Sequence, residues 1–203
     1  EGDLRLVEFH SKANALTDES MEIVAAAAAD HGKGIIIHND AQHFSAGVDL
    51  NAFRAYIEAE DWDGIDGFLD RFQKAVCALK YTPVPVVGAP SGLAAGGGYE
   101  VLAHCDRLVV HTNSVMGLVE AGVGVVPGGG GIKDTFFRWH AAKDSWDEAA
   151  WQTWMNIGYG ATGSSPQLSA RMMYFRDGHD ETVMNRDRLC LLYTSPSPRD
   201  SMT

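Results

Sequence analysis

Apolar and polar positions alternate along the chain in two recurring rhythms. Leu4–Phe9 alternates loosely, as a half-buried strand does. Thr17 and Asp18 can cap a helix running through the alanine-rich stretch to Ala29, and Asp18, Glu19 and Glu22 suit its first turns, where the helix dipole favours negative charge. Ile35–Ile37 is a β-branched run that predicts a buried strand. Phe44–Leu50 predicts a strand-to-helix turn, followed by helix from Leu50 to Leu79 with a break near Asp61–Gly64. Pro83 and Pro85 flank a strand at Val84–Gly88, and the glycines at 96–98 lead into a helix that carries Glu100. Arg107–His111 predicts a further strand, residues 120–131 a glycine-rich loop, and Gly131–Lys133 the start of another helix. Strands and helices in this alternation predict an α/β domain.

Beyond residue 141 the rhythm weakens. Asp144–Ile157 predicts an amphipathic helix with Trp146, Ala149, Ala150, Trp154 and Ile157 on or near one face, and the indoles of Trp146, Trp151 and Trp154 are assigned to packing. Gly158–Pro166 reads as a loop. Tyr193–Thr203 is polar and Ser/Pro-rich, with no place in a packed core. The expected organisation is a core over residues 1–140, a helical C-terminal region over 141–190, and a disordered or non-native tail over 191–203.

Two glutamates break this pattern. Glu100 follows Gly96-Gly97-Gly98-Tyr99, and Glu120 interrupts the largely apolar run Val115–Pro127. Burying a carboxylate is costly, so such a group shifts towards a raised pKa and becomes usable for proton transfer near neutral pH. Each stands beside glycine-rich backbone, whose N–H groups a ligand can approach closely.

Bulk properties narrow the field. With 203 residues the chain is about one domain long, and 45% hydrophobic with 21% charged residues is the balance of a globular core with a polar surface. A formal net charge of −11 without a Lys/Arg cluster argues against a nucleic-acid partner. No apolar run reaches the roughly 20 residues of a membrane-spanning helix, so no membrane partner is expected. Cys77, Cys105 and Cys190 lie far apart, which fits reduced thiols in a cytoplasmic setting. The eight histidines form neither HExxH nor a Cys/His cluster, so no metal site is expected. The chain begins at Glu1 and reads as a fragment of a longer protein.

Three familiar glycine motifs fail. Gly122-x-Gly124 meets Pro127 where a dinucleotide fingerprint needs glycine. Gly128–Gly131 runs into Ile132-Lys133-Asp134 rather than the Gly-Lys-Ser/Thr of a P-loop. Neither Ser45 nor Ser91 stands in a GxSxG hydrolase elbow.

Five segments in order carry a different resemblance: Phe44–Leu50, Pro85–Gly92, Ala95–Glu100, Cys105-Asp106, and Gly117–Glu120 through Pro127–Gly131. Over roughly residues 4–140 the chain resembles the crotonase (enoyl-CoA hydratase/isomerase) superfamily. Met116–Gly124 and Met184–Leu189 narrow this towards the hydratase portion of bifunctional 3-hydroxyacyl-CoA dehydrogenases. The resemblance implies the ClpP/crotonase-like fold, a spiral of repeated ββα units. It implies hydration of a 2-trans-enoyl-CoA to a 3-hydroxyacyl-CoA in fatty-acid β-oxidation, with Glu100 as base toward water and Glu120 as the acid at C2. The N–H groups of Ala46 and Gly97 would hold the thioester oxygen, helped by the N-terminal end of the helix after Gly98. Lys12, Ala13, Ser45, Gly47, Asp49 and Gly96 would contact substrate, although Asp49 can equally cap the helix at Leu50. No cofactor is implied beyond the CoA of the substrate, and the partners implied are a second copy of the chain or a dehydrogenase domain outside it. Two other readings stay open: Δ3-Δ2-enoyl-CoA isomerisation, which one carboxylate can perform, and a non-catalytic acyl-CoA-binding or assembly module.

Overall fold

Short parallel strands joined by helical crossovers build the molecule, as the alternation requires. The computed structural model describes residues 3–189. A five-stranded parallel sheet has the order β1 (Leu4–Val7), β2 (Gly34–Ile37), β3 (Val86–Gly88), β5 (Arg107–His111), β8 (Glu181–Val183). A second sheet joins β4 (Leu93–Ala95) to β6 (Val115–Gly117) in parallel and β6 to β7 (Thr162–Gly163) antiparallel. Ile35 and Ile37 are wholly enclosed, which explains why β2 is an unbroken β-branched run.

Among the described residues seven helices pack with the sheets. Helix α1 (Asp18–Ala29) opens on a capping box between Thr17 and Ser20. Helix α2 (Leu50–Glu58) is capped by Asp49, and α3 (Trp62–Lys80) by Asp61, so the expected break falls between them. On α3 the buried residues Phe68, Phe72, Ala75, Val76 and Leu79 recur at helical spacing and pack on the main core. Helix α4 (Gly97–Ala103) is enclosed along its whole length. Helices α5 (Gly131–Lys143), α6 (Trp146–Gly158) and α7 (Pro166–Ala170) complete the set.

The C-terminal half departs from expectation in two ways. Helix α5 crosses the boundary expected at residue 140, and the region beyond it supplies β7 and β8 as well as helices, with β8 hydrogen-bonded to β5 of the main sheet. On α6 the buried stripe is Ala149, Thr153, Asn156 and Ile157, while Trp151 and Trp154 are 59% and 58% exposed and Trp146 is also exposed. The indoles therefore do not form the packing face. Asn156 can face inward because its amide donates to the Met172 carbonyl at 2.8 Å, which satisfies the buried group. The tail expected over residues 191–203, and Cys190, lie outside the described residues.

Candidate active site

Strand pairing brings the two glutamates together. In the β4–β6 ladder Ala95 stands opposite Gly117, and the Gly96 N–H extends it by donating to the Gly117 carbonyl at 2.8 Å. Beyond that shared edge the two chains diverge, one into α4 with Glu100, the other into a 3-10 turn that begins at Glu120. A third segment runs alongside: Ser45 pairs in parallel with Ala94, its N–H bonded to Leu93 O at 2.9 Å and its carbonyl accepting from Ala95 N at 3.1 Å. Residues after Ser45, after Ala95 and after Gly117 thus end at one place.

Glycine is needed at this meeting point. Gly96 has φ +52, and a Cβ there would sit 3.1 Å from Glu120 Oε1. A Cβ on Gly97 would fall 2.9 Å from Val48 Cγ2, and one on Gly47 (φ +95) 2.9 Å from the Ala95 carbonyl and 3.6 Å from Gly97 N. The start of α4 therefore lies directly against the Gly47 backbone and the Val48 side chain.

The carboxylates have contrasting surroundings. Glu100 is 2% exposed, and its Oε1 accepts the N–H groups of Gly129 and Gly131, both at 2.9 Å. Burial is the largest influence and pushes its pKa up to about 7; the Gly131 and Gly129 bonds oppose this, while the charges of Glu120 and Asp134 add to it. Glu120 is half-buried, yet both its oxygens are enclosed and have no hydrogen-bond partner among the described residues. Burial raises its pKa too, and its own N–H and that of Val119 oppose this as nearby dipoles that fall short of hydrogen-bond geometry.

The backbone donors require a correction. The Ala46 N–H, expected to face a thioester oxygen, donates to the Ala13 carbonyl at 3.1 Å and is already engaged. Two residues on, the Val48 N–H donates to no acceptor among the described residues, although Leu16 bonds to its neighbours on both sides. The Gly97 N–H, at the first position of α4, has no intrahelical acceptor and donates to none among the described residues. Val48 and Gly97 are hence two unused donors among the described residues, with the Val48 side chain packed beside the Gly97 backbone.

The remaining expected site residues divide into two groups. Gly47 and Gly96 lie at the meeting point, whereas Lys12 and Ala13 are exposed on a neighbouring turn, Ala13 with φ +55. Ser45 and Asp49 are occupied structurally: Ser45 Oγ donates to the Asn14 carbonyl at 2.7 Å and accepts from Gly47 N at 3.1 Å, and Asp49 caps α2 through Asn51 N at 2.9 Å. Val48 is an unengaged donor that the sequence reading did not single out. A valine carries no chemical signal of its own, and only the hydrogen-bond pattern distinguishes it from Ala46.

With the fold and geometry in hand, comparison with known proteins places the chain. The enoyl-CoA hydratase/isomerase family model matches residues 5–139, and the chain belongs to that family. It is 32% identical over 190 residues to a probable 3-hydroxyacyl-CoA dehydrogenase of Bacillus subtilis, a match covering 92% of this chain and 24% of that protein. It is 33% identical over 102 residues to the fatty acid oxidation complex subunit alpha of Idiomarina loihiensis, covering 50% of this chain and 14% of the relative. The chain thus spans about a quarter or less of these relatives. The crystal structure of enoyl-CoA hydratase from Bacillus anthracis superposes with a TM-score of 0.75 at 18% identity, covering 94% of this chain and 70% of the other. The fold is the crotonase fold. Among the described residues no helix is long and apolar enough to cross a membrane, and no cluster of three or more metal-ligating side chains occurs.

Proposed function

We propose that the chain is an enoyl-CoA hydratase unit that adds water across the C2=C3 bond of a 2-trans-enoyl-CoA in fatty-acid oxidation, within a longer cytoplasmic protein that also carries a 3-hydroxyacyl-CoA dehydrogenase. The observation that carries this reading is the pair of carboxylates: Glu100 with a pKa raised to about 7 by burial, and Glu120 with two enclosed oxygens lacking partners, at the ends of paired strands. A water between them has a base on one side and an acid on the other.

The steps follow from the charges. Ionised Glu100 takes a proton as the water oxygen bonds to C3. The C2=C3 electrons move onto the thioester oxygen, and the enolate so formed accepts hydrogen bonds from the Val48 and Gly97 N–H groups. Each such donor contributes about 2.7–4 kcal/mol in comparable sites. Protonated Glu120 then delivers its proton to C2, and return of the Glu100 proton to Glu120 restores the starting state. Two nearby carboxylates share one proton readily, because ionising both in a buried site is costly. The reaction so drawn uses no metal or redox group; CoA enters as part of the substrate, with Lys12 and Ala13 offered as its surface contacts and Gly47 and Gly96 as backbone beside the acyl thioester.

Loss of the conjugated enoyl-thioester absorbance of crotonyl-CoA tests the reading in the wild type, Glu100→Gln and Glu120→Gln. Hydration by the wild type with large losses in both variants is expected. Equal rates in all three would sink the two-carboxylate mechanism. Conversion of a 3-enoyl-CoA to the 2-enoyl isomer without hydration would identify an isomerase, and tight binding without turnover a binding module.

A further inference from the structure

Behind Glu100 lies a layer of side chains that the proposed steps leave unused. His104 follows one turn later as the C-terminal cap of α4, and its side chain is fully enclosed. Its Nδ1 lies 2.7 Å from the Glu100 carbonyl; a carbonyl only accepts, so Nδ1 bears the hydrogen. Its Nε2 lies 3.3 Å from Asp134 Oδ2, and neither atom has another partner among the described residues. The two atoms face each other in an enclosed space, so the imidazole and the carboxylate fix each other's position by packing and by charge. Burial is the largest influence and lowers the imidazole's pKa, helped by the charges of Lys80 and Lys133 and opposed by the Glu100 carbonyl and the Asp134 carboxylate. The other Asp134 oxygen takes the Lys80 ammonium from the end of α3.

These contacts converge on the loop that grips Glu100. Asp134 belongs to the first turn of α5, just after Gly129 and Gly131, the donors to Glu100 Oε1. Between those donors, Gly130 adopts φ +101, and a Cβ there would fall 2.9 Å from His104 Cε1 and 3.0 Å from Nε2. The imidazole is thus wedged between the α4 backbone at Glu100 and the middle of the loop. His104 and Asp134 also line a cleft of about 580 Å³ on which Glu100, Glu120, Val48 and Gly97 do not open. Its cations are engaged internally: Arg138 with Tyr99 and the carbonyls of Ala103 and Met173, Arg176 with Asp180 and the Asp106 carbonyl.

We infer that His104 and Asp134, anchored by Lys80, are positioning residues for Glu100: they fix the Gly129–Gly131 loop so that Oε1 keeps two hydrogen bonds and Oε2 is left for proton transfer. The inference rests on the reading of Glu100 as the base. A loosened loop weakens two bonds that favour the ionised carboxylate, so the Glu100 titration moves upward. The charged groups facing Glu100 are Glu120 and Asp134; those facing His104 are Asp134, Lys80 and Lys133.

His104→Met keeps an apolar filling of similar length and removes both imidazole contacts. For crotonyl-CoA we expect kcat to fall about 10- to 100-fold with KM within about twofold, as a small misplacement of a catalytic group does. The Glu100 carboxyl, followed by carbon-13 NMR, titrates above its wild-type value in the same variant. His104→Gln, which still offers an amide to Asp134, recovers part of both. Unchanged kcat and an unchanged Glu100 titration in His104→Met overturn the inference, as does a change confined to KM. If the Met variant does not fold, Asp134→Asn carries the test: lowered kcat with intact KM supports positioning, and wild-type kcat overturns it. A wild type that hydrates no enoyl-CoA would instead overturn the functional reading, while the NMR titration would still decide whether His104 controls Glu100.

Discussion

Glu100 and Glu120 leave neighbouring strands of one ladder, yet the protein holds them in opposite ways. Glu100 sits on a buried helix, its Oε1 fixed by two N–H groups and its surroundings filled so closely that a Cβ at Gly129 or Gly131 would lie within 3 Å of it. Glu120 begins a short turn in which a Cβ added at Gly122 or Gly124 would meet nothing within 4 Å, and whose Val123 and Val126 are exposed. A base that must accept a proton from one water benefits from fixed geometry. In the proposed reaction, an acid that must reach C2 of a substrate benefits from oxygens without a hydrogen-bond partner among the described residues.

The largest effects separate the two in rate and in stability. Glu100→Gln and Glu120→Gln should each lower crotonyl-CoA hydration by about 10²–10⁴-fold, with Glu100→Gln at the upper end because its fixed position cannot be replaced by another group. Their stabilities should diverge. Folded Glu100 titrates at about 7 against an ordinary value of 4.5, so folded protein holds a proton that unfolded chain releases. Its stabilising contribution is present in full below pH 4.5 and is lost as pH rises through about 7, a change on the order of 3 kcal/mol. Glutamine still offers an oxygen to Gly129 and Gly131 but never ionises. Chemical denaturation should therefore find Glu100→Gln more stable than wild type at pH 8 and equal to it at pH 4. A variant destabilised at pH 8 would mean that the charge of Glu100 is compensated by something other than the two N–H groups.

The pH profile of the wild type is the next measure of the contrast. The kcat/KM for hydration should be bell-shaped, rising as the first proton leaves the pair and falling as the second does. A rising limb near pH 7 fits Glu100 as base. A rising limb below pH 5 would show that substrate-free Glu100 is ionised more readily than its burial allows.

Much of the buried framework was legible in the sequence because it rests on local signals. The capped alanine-rich α1, the Ile35–Ile37 strand and Arg107–His111 all match, as does the break between α2 and α3. The two glutamates stood out because carboxylates are costly in apolar runs. What stayed hidden has physical causes. Strands β4 and β6 are three residues each, too short to show a period, although they bring the glutamates together. On α6 the bulk of three indoles outweighed the true inward stripe, in which Thr153 and Asn156 are polar. Ala46 and Val48 differ in which N–H already has an acceptor, and side-chain chemistry does not record that.

The smallest effects test whether the glycine-rich stretch 120–131 is one loop or two environments. A Cβ at Gly131 would meet Leu118 Cδ2 at 2.8 Å and Glu100 Cγ at 2.9 Å. Gly131→Ala should therefore cost about 1–3 kcal/mol through overpacking, and should lower kcat by displacing an N–H from Glu100 Oε1. Gly122 lies in the Glu120 turn without a positive φ and faces open space. Gly122→Ala should leave stability unchanged or raise it by about 0.4–1 kcal/mol, because alanine restricts the unfolded chain without straining the folded one. Thermal melts and crotonyl-CoA rates on the two variants decide the matter. If Gly122→Ala were as harmful as Gly131→Ala, the Glu120 turn would have to pack against a surface that this chain alone does not supply, and the openness ascribed to the acid side would belong to the isolated chain rather than to the working site.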